Sequence, residues 1–220
     1  MSADAGQGVR RPRMLVTGFE PFPGAPENPT EALIAHFAEA PPALDAEMRF
    51  AVLPVDYGTV ADALAGHADG FHPDIAIHFG LAQTATGFRL EEVARNEIAA
   101  SRPDNSGSQP ASAAICDGAA EIASGLPLDA IETRLRAAGL PVERSRDAGG
   151  YLCNYVFYHA CAGRVAGLAA PVAGFVHVPW TDAMRDRHAP HAAAISFDEL
   201  TAGARIVMQE ALAAFLSRSR

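Results

Sequence analysis

Apolar residues along this chain fall in short runs that alternate with stretches of helical spacing. Residues 13–19, Arg-Met-Leu-Val-Thr-Gly-Phe, make an apolar run of the kind that forms a buried strand. Four prolines and a glycine between Phe19 and Pro29 require a loop. Helical spacing returns over 31–39, with Thr30 as its expected N-cap. A second strand is predicted from Met48 to Val55. It is followed by a helix opened by Gly58-Thr59, running to about Ala65 and stopped by Gly66. Asp74 to Gly80 reads as a third strand. Residues 87–100 mix Phe, Leu, Val and Ile with charges, and their periodicity leaves helix and strand both open. Arg102-Pro103-Asp104-Asn105-Ser106-Gly107 is turn chemistry.

Further along, 128–139 is amphipathic and closed by Gly139, and Val142–Ser145 suits a short strand. A glycine pair at 149–150 then opens a helix that carries Cys153 and runs to about Val165. Val172–Val178 is another strand. Residues 182–195 read as a mobile surface loop, and Phe197–Ser217 as the longest helix. Strands alternating with helices predict an α/β fold with a mostly parallel sheet covered on both faces. Sites in such folds form beyond the carboxyl ends of strands. The loops at 18–29, 80–90 and 179–195 lie there. With no repeat and no linker, 13–220 is expected to be one domain behind a disordered tail at 1–12.

Composition narrows the function. The 220 residues are 49% apolar and 20% charged, and the net charge is −9. This argues against a general nucleic-acid binder and against an anionic membrane surface as partner. The first thirteen residues lack the apolar core of a secretory signal, and no run approaches membrane-spanning length, so a cytoplasmic location is expected. Three cysteines, 116, 153 and 161, fit a reducing compartment without a disulfide framework. No pair has the spacing of a zinc site. Cys116 reads as strand or core, and Cys161 as a buried small residue.

Cys153 is the candidate nucleophile. A thiol in the first turn of a helix meets a partial positive charge and unpaired backbone N–H groups, both of which favour the reactive thiolate. A cysteine hydrolase also needs a base and a group that orients it. His177 and His78 both lie in strands near their carboxyl ends, and the pattern does not choose between them. His159 is six residues beyond Cys153 on its helix, at an angle that disfavours contact. For the acid, Glu91 and Glu92 are adjacent, and one of them faces inward if the segment is extended. Glu20 and Glu27 in the first loop are also available.

Several motifs in fixed order carry a resemblance. They are Leu15-Val16-Thr17-Gly18-Phe19-Glu20-Pro21-Phe22 with Asn28-Pro29, then Leu53-Pro54-Val55, then Gly80-Leu81-Ala82 with Glu91-Glu92-Val93-Ala94-Arg95-Asn96. Pro103-Asp104-Asn105 with Gly107, the stretch Ala148 to Tyr158 around Cys153, and Ala173 to Pro179 around His177 complete the set. Together they make the chain resemble the pyroglutamyl peptidase I (pyrrolidone carboxyl peptidase) family of cysteine peptidases over about residues 14–215.

The resemblance implies a three-layer α/β/α domain like that of purine nucleoside phosphorylases. It implies no metal or other cofactor, and a homodimer or homotetramer. The implied activity is removal of an N-terminal pyroglutamate (5-oxoproline) from peptides. Cys153 would be nucleophile, His177 base and Glu91 acid, which makes His78 and Cys161 structural. Phe19 and Phe22 would stack the lactam ring, with Asn28 holding the loop. The sequence departs from the family pattern in four places. Glu92 stands where the family has arginine. Ser101 replaces an arginine near the oxyanion region, with Arg102 one position on and Arg95 in the glutamate motif as stand-in candidates. Pro23 replaces a glycine, and the 80–90 loop lacks the usual Gly-Arg pattern. These departures keep two alternatives in view: a related cysteine amidohydrolase with altered specificity, and a non-catalytic lactam or peptide binder. An intact nucleophile argues against the second.

Overall fold

Period-two alternation lets each strand serve two cores at once, and this organises the molecule. The computed structural model describes residues 10–111 and 113–218. Its elements in chain order are β1 (Arg13–Phe19), α1 (Pro29–Glu39), β2 (Glu47–Leu53), α2 (Val60–Ala68), β3 (Ile75–Leu81), β4 (Phe88–Glu91), β5 (Val93–Arg95) and β6 (Glu121–Ala123). These are followed by α3 (Leu128–Ala137), β7 (Val142–Ser145), α4 (Leu152–Cys161), β8 (Val172–Val178), β9 (Trp180–Thr181), α5 (Asp182–His188), β10 (Ala194–Ile195) and α6 (Phe197–Arg218).

Six strands form a sheet in the order β2-β1-β3-β8-β4-β7. All neighbours are parallel except β4 against β8. Met14, Val16, Ile75, Ile77, Val176 and Val178 face one core with α1, α3 and α6. Leu15, Phe19, Ala76, Ala173 and Phe175 face the other with α2 and α4. The expected α/β architecture, a mostly parallel mixed sheet between helical layers, is therefore present. The ambiguous 87–100 segment is extended. Phe88 and Leu90 join the first core, which puts Arg89 and Glu91 on the α2/α4 face.

Several boundaries differ from expectation for local reasons. Asn28, not Thr30, caps α1: Pro29 takes the first helical position, and the Asn28 side chain accepts the Thr30 N–H at 3.0 Å. β2 stops at Leu53, before Pro54, which has no N–H for a ladder. α2 runs through Gly66, whose side-chain position opens onto empty space, and ends at Ala68. α4 ends at Cys161, shortly before Gly163 at φ +61°. Cys116 lies in a bend, half-buried, rather than in a strand. The short strand β6, which pairs with β5, lies outside the elements the periodicity predicts.

The segment expected to be a mobile loop, 182–195, is instead structured. It holds α5 and β10, which pairs with β9. Met184, Ala189, Ala192 and Ala194 pack around Trp180, Leu81 and Ala25. Most of the tail expected at 1–12, residues 1–9, lies outside the described residues. Arg10 is held by Asp74 through two contacts of 2.7 Å, and the Pro12 carbonyl accepts the Glu47 N–H. Among the described residues no helix is long and apolar enough to cross a membrane.

Candidate active site

A cavity of about 290 Å³ opens where the carboxyl ends of β1, β3 and β8 meet the start of α4. Its lining includes Phe19, Phe22, Asn28, Arg102, Cys153 and His177.

The geometry is built from the β3–β8 ladder. Gly80 pairs with His177, and both face the α4 side. A Cβ on Gly80 would lie 2.9 Å from the Cys153 sulfur and 2.7 Å from the Phe175 ring. The absence of a side chain at Gly80 is therefore what admits the thiol beside the imidazole. Gly80→Ala is expected to push the sulfur off its seat and cut kcat/KM about a hundredfold, with about 1–3 kcal/mol of lost stability. Steady-state kinetics and urea unfolding check this together.

His177 Nδ1 is 2.8 Å from Glu91 Oε1, and Glu91 is fully buried. Burial by itself pushes His177 down. The negative charge and hydrogen bond of Cys153, then those of Glu91, outweigh it and raise His177 to about 9. The surroundings of His177 therefore favour its protonated form, with Glu91 at Nδ1 and the Cys153 thiol beside it.

The remaining candidates separate cleanly. His78 lies two residues deeper in β3, facing Phe175 rather than His177. Its Nδ1 meets Thr17 Oγ1 at 2.8 Å, and burial lowers it to about 4, so it stays neutral. His159 stacks edge-on against Tyr155, away from the cavity. Burial pushes the Cys161 thiol up to about 12, against the pull of a Gly125 backbone bond, and its sulfur points to the Ala173 carbonyl. Glu92 faces away from Glu91 and pairs with Arg144 and Arg146 at 3.8 and 3.6 Å. The charge reversal beside the acid therefore does not enter the cavity.

Glu20 accepts the Val55 N–H and the Asn105 amide, and Glu27 pairs with Arg187 and His188. Both carboxylates tie loops together and lie outside the His177 contact. Of the two stand-in arginines, Arg102 lines the cavity, with its guanidinium 5.7 Å from the Phe22 ring centre and bonded to the Pro23 carbonyl. Arg95 does not line it. Arg95 pairs with Glu121 and Asp147 and borders a separate groove.

The first turn of α4 is presented without competition. Its cap, Tyr151, gives no side-chain bond to the helix. The Tyr151 hydroxyl instead donates to the Pro103 carbonyl, and burial pushes it up to about 12. Asn154, buried in the same turn, accepts the Arg95 N–H and donates to the carbonyls of Arg95 and Glu97. It fixes the helix start to β5. Asn154 was visible only as a letter in the cysteine motif, because its partners lie more than fifty residues away. On the opposite wall, Phe22 and Ala25 exchange backbone bonds around Pro23-Gly24, with Gly24 at φ +93°. Pro23 thus fits a tight turn that presents Phe22. Asn28 is occupied in capping α1 and in holding the Glu20 carbonyl. Among the described residues no cluster of His, Cys, Asp and Glu is arranged to hold a metal ion.

The chain is similar to known proteins over most of its length. A family model described as pyroglutamyl peptidase matches residues 12–214. A pyrrolidone-carboxylate peptidase of Pyrococcus furiosus is 39% identical over 169 residues, spanning 76% of this chain and 81% of that protein. One from Chromobacterium violaceum is 34% identical over 201 residues, spanning 90% and 92%. The crystal structure of pyrrolidone carboxyl peptidase from P. furiosus aligns with a TM-score of 0.84 at 32% identity, covering 92% of this chain and 99% of that one.

Proposed function

From the premise that the chain belongs to the pyroglutamyl peptidase family of cysteine-type exopeptidases, we propose that Cys153, His177 and Glu91 carry out its reaction. The activity is removal of an N-terminal pyroglutamate from a peptide. The observation that carries the residue assignment is the buried Glu91–His177 bond beside a thiol seated over Gly80.

The Cys153 thiolate attacks the exocyclic carbonyl carbon of the pyroglutamyl residue, and the carbonyl π pair moves onto oxygen. N–H groups of the first turn of α4, the Cys153 N–H among them, would hold that oxyanion. The imidazolium of His177 gives its proton to the leaving nitrogen as the C–N bond breaks. A thioester on Cys153 remains, and the shortened peptide leaves. His177, now neutral, takes a proton from water, whose oxygen attacks the thioester. Pyroglutamate departs, and the thiolate–imidazolium pair is restored. Glu91 holds Nδ1–H throughout and keeps Nε2 free for these transfers.

Phe19 and Phe22 give the flat lactam an apolar slot. A free glutamate would have to desolvate charges there that the neutral lactam does not carry. Incubation with a pyroglutamyl-capped peptide and its uncapped counterpart tests the reading by mass spectrometry. Only the capped peptide should lose one residue. Shortening of both, or of neither, would count against it.

The raised His177 also fixes a pH dependence. The imidazolium is present below about 9 and lost above it, so kcat/KM should fall on an alkaline limb near that value. The same shift has a stability consequence of definite sign. A group raised from 6.5 to about 9 contributes stability fully below 6.5 and loses it as pH rises through about 9. A pH–rate profile beside melting curves over this window reads both effects.

A further inference from the structure

The wall of the cavity on the far side of His177 has no part in the scheme above. In the antiparallel ladder, Arg89 of β4 stands directly opposite His177, and the two side chains share one face of the sheet. The sheet order β1-β3-β8-β4 therefore sets out the cavity in sequence: the Phe19 wall, the thiol over Gly80, the imidazole, then Arg89. In the scheme above His177 protonates the leaving nitrogen, so a departing peptide that continues along the same row would run over β4.

Arg89 is four-fifths buried, with 20% of its side chain exposed. Its Nε donates to Glu143 at 2.7 Å, and an Nη1 contact reaches Thr84 at 3.5 Å. A guanidinium has five N–H donors. Among the described residues no acceptor is bonded to the others. The walls also carry Arg102 and one carboxylate, Asp147, which Arg95 already pairs at 3.4 Å. The lining thus carries two guanidiniums and one carboxylate, and Glu143, outside the lining, pairs with Arg89 through Nε alone.

Building on the pyroglutamyl peptidase reading, we infer that Arg89 is a specificity-determining residue for the leaving peptide, and that it selects an acidic residue directly after the pyroglutamate. A carboxylate accepts the free N–H groups with charge assistance, and an ammonium in the same place meets repulsion.

The test compares pyroglutamyl-glutamyl and pyroglutamyl-lysyl peptides, otherwise identical and C-terminally amidated, at low salt. The glutamyl peptide should be favoured in kcat/KM by about fivefold or more, and added salt should narrow the gap. In Arg89→Gln the ratio should fall to within about twofold of unity. In Glu143→Gln, which removes the competing carboxylate, the ratio should widen. Melting curves establish that each variant is folded, and Glu143→Gln carries the test if Arg89→Gln is not. A ratio near one in the wild type, a ratio unchanged in either variant, or a preference abolished by Arg102→Gln alone would overturn the inference and leave the pyroglutamyl reading intact. Failure to cleave either peptide would overturn both.

Discussion

Replacing Cys153 with alanine should lower kcat/KM for a pyroglutamyl amide by about 10⁴-fold or more while the protein stays folded. The size of the effect follows from the position of the sulfur. It is the only thiol that lines the cavity among the described residues, and no backbone group there can take over as nucleophile. The fold should tolerate the change, because Cys153 is only half-buried. Alanine also suits the first turn of a helix. Cys153→Ser is the sharper variant. It keeps the shape but substitutes a hydroxyl that does not ionise beside His177, and it should be nearly as inactive. Matching replacements at Cys116 and Cys161 should leave kcat/KM within about twofold, because neither thiol reaches the cavity. Steady-state kinetics with a fluorogenic pyroglutamyl amide, with melting curves alongside, decide each case.

Glu91→Gln should lower kcat by about 10²- to 10⁴-fold with a smaller change in KM. The carboxylate touches no substrate. It is a positioning residue, acting through its 2.8 Å contact with His177 Nδ1. An amide of the same shape has no charge to stabilise the imidazolium. It can also present its NH₂ group to Nδ1, which would fix the wrong tautomer. A merely structural role would change stability and leave the pH profile alone. The positioning role predicts that the alkaline limb near 9 moves to lower pH in Glu91→Gln, because one of the contributions that raise His177 is gone. An unchanged limb would remove Glu91 from the mechanism.

The elements with strong periodicity were legible in the sequence. β1, β3 and β8 stand close to their predicted spans because each is a mainly apolar run, buried on both faces. The errors fall where local rules met long-range packing. Gly66 was expected to stop α2, but nothing crowds its open side and the helix carries on. Residues 182–195 looked polar enough to be a loop. Their few apolar side chains pack around Trp180, just ahead of the segment, and around Leu81, far back at the end of β3.

The site divides in the same way. Cys153 was readable from the glycine pair and the helix start, both local. The preference for His177 over His78 was not, because both sit in similar strands. The structure distinguishes them by a single pleat: His177 pairs with Gly80, while His78 lies two residues deeper against Phe175. The residue pattern alone did not separate Glu91 from Glu92; in the structure Glu91 is buried against His177, while Glu92 pairs with Arg144 and Arg146. Gly80, Asn154 and Arg89 carry no local signal. Their places come from partners far away in sequence: Cys153, the β5 backbone and the β8 ladder.

The central claim is that Cys153 takes the pyroglutamyl group from the peptide as a thioester. Acid quenching of the enzyme during turnover of an activated pyroglutamyl ester, followed by peptide mapping, tests it most directly. The account predicts a pyroglutamyl adduct on the peptide containing Cys153 and none on those containing Cys116 or Cys161. An adduct on either of those cysteines, or undiminished turnover by Cys153→Ser, would contradict it.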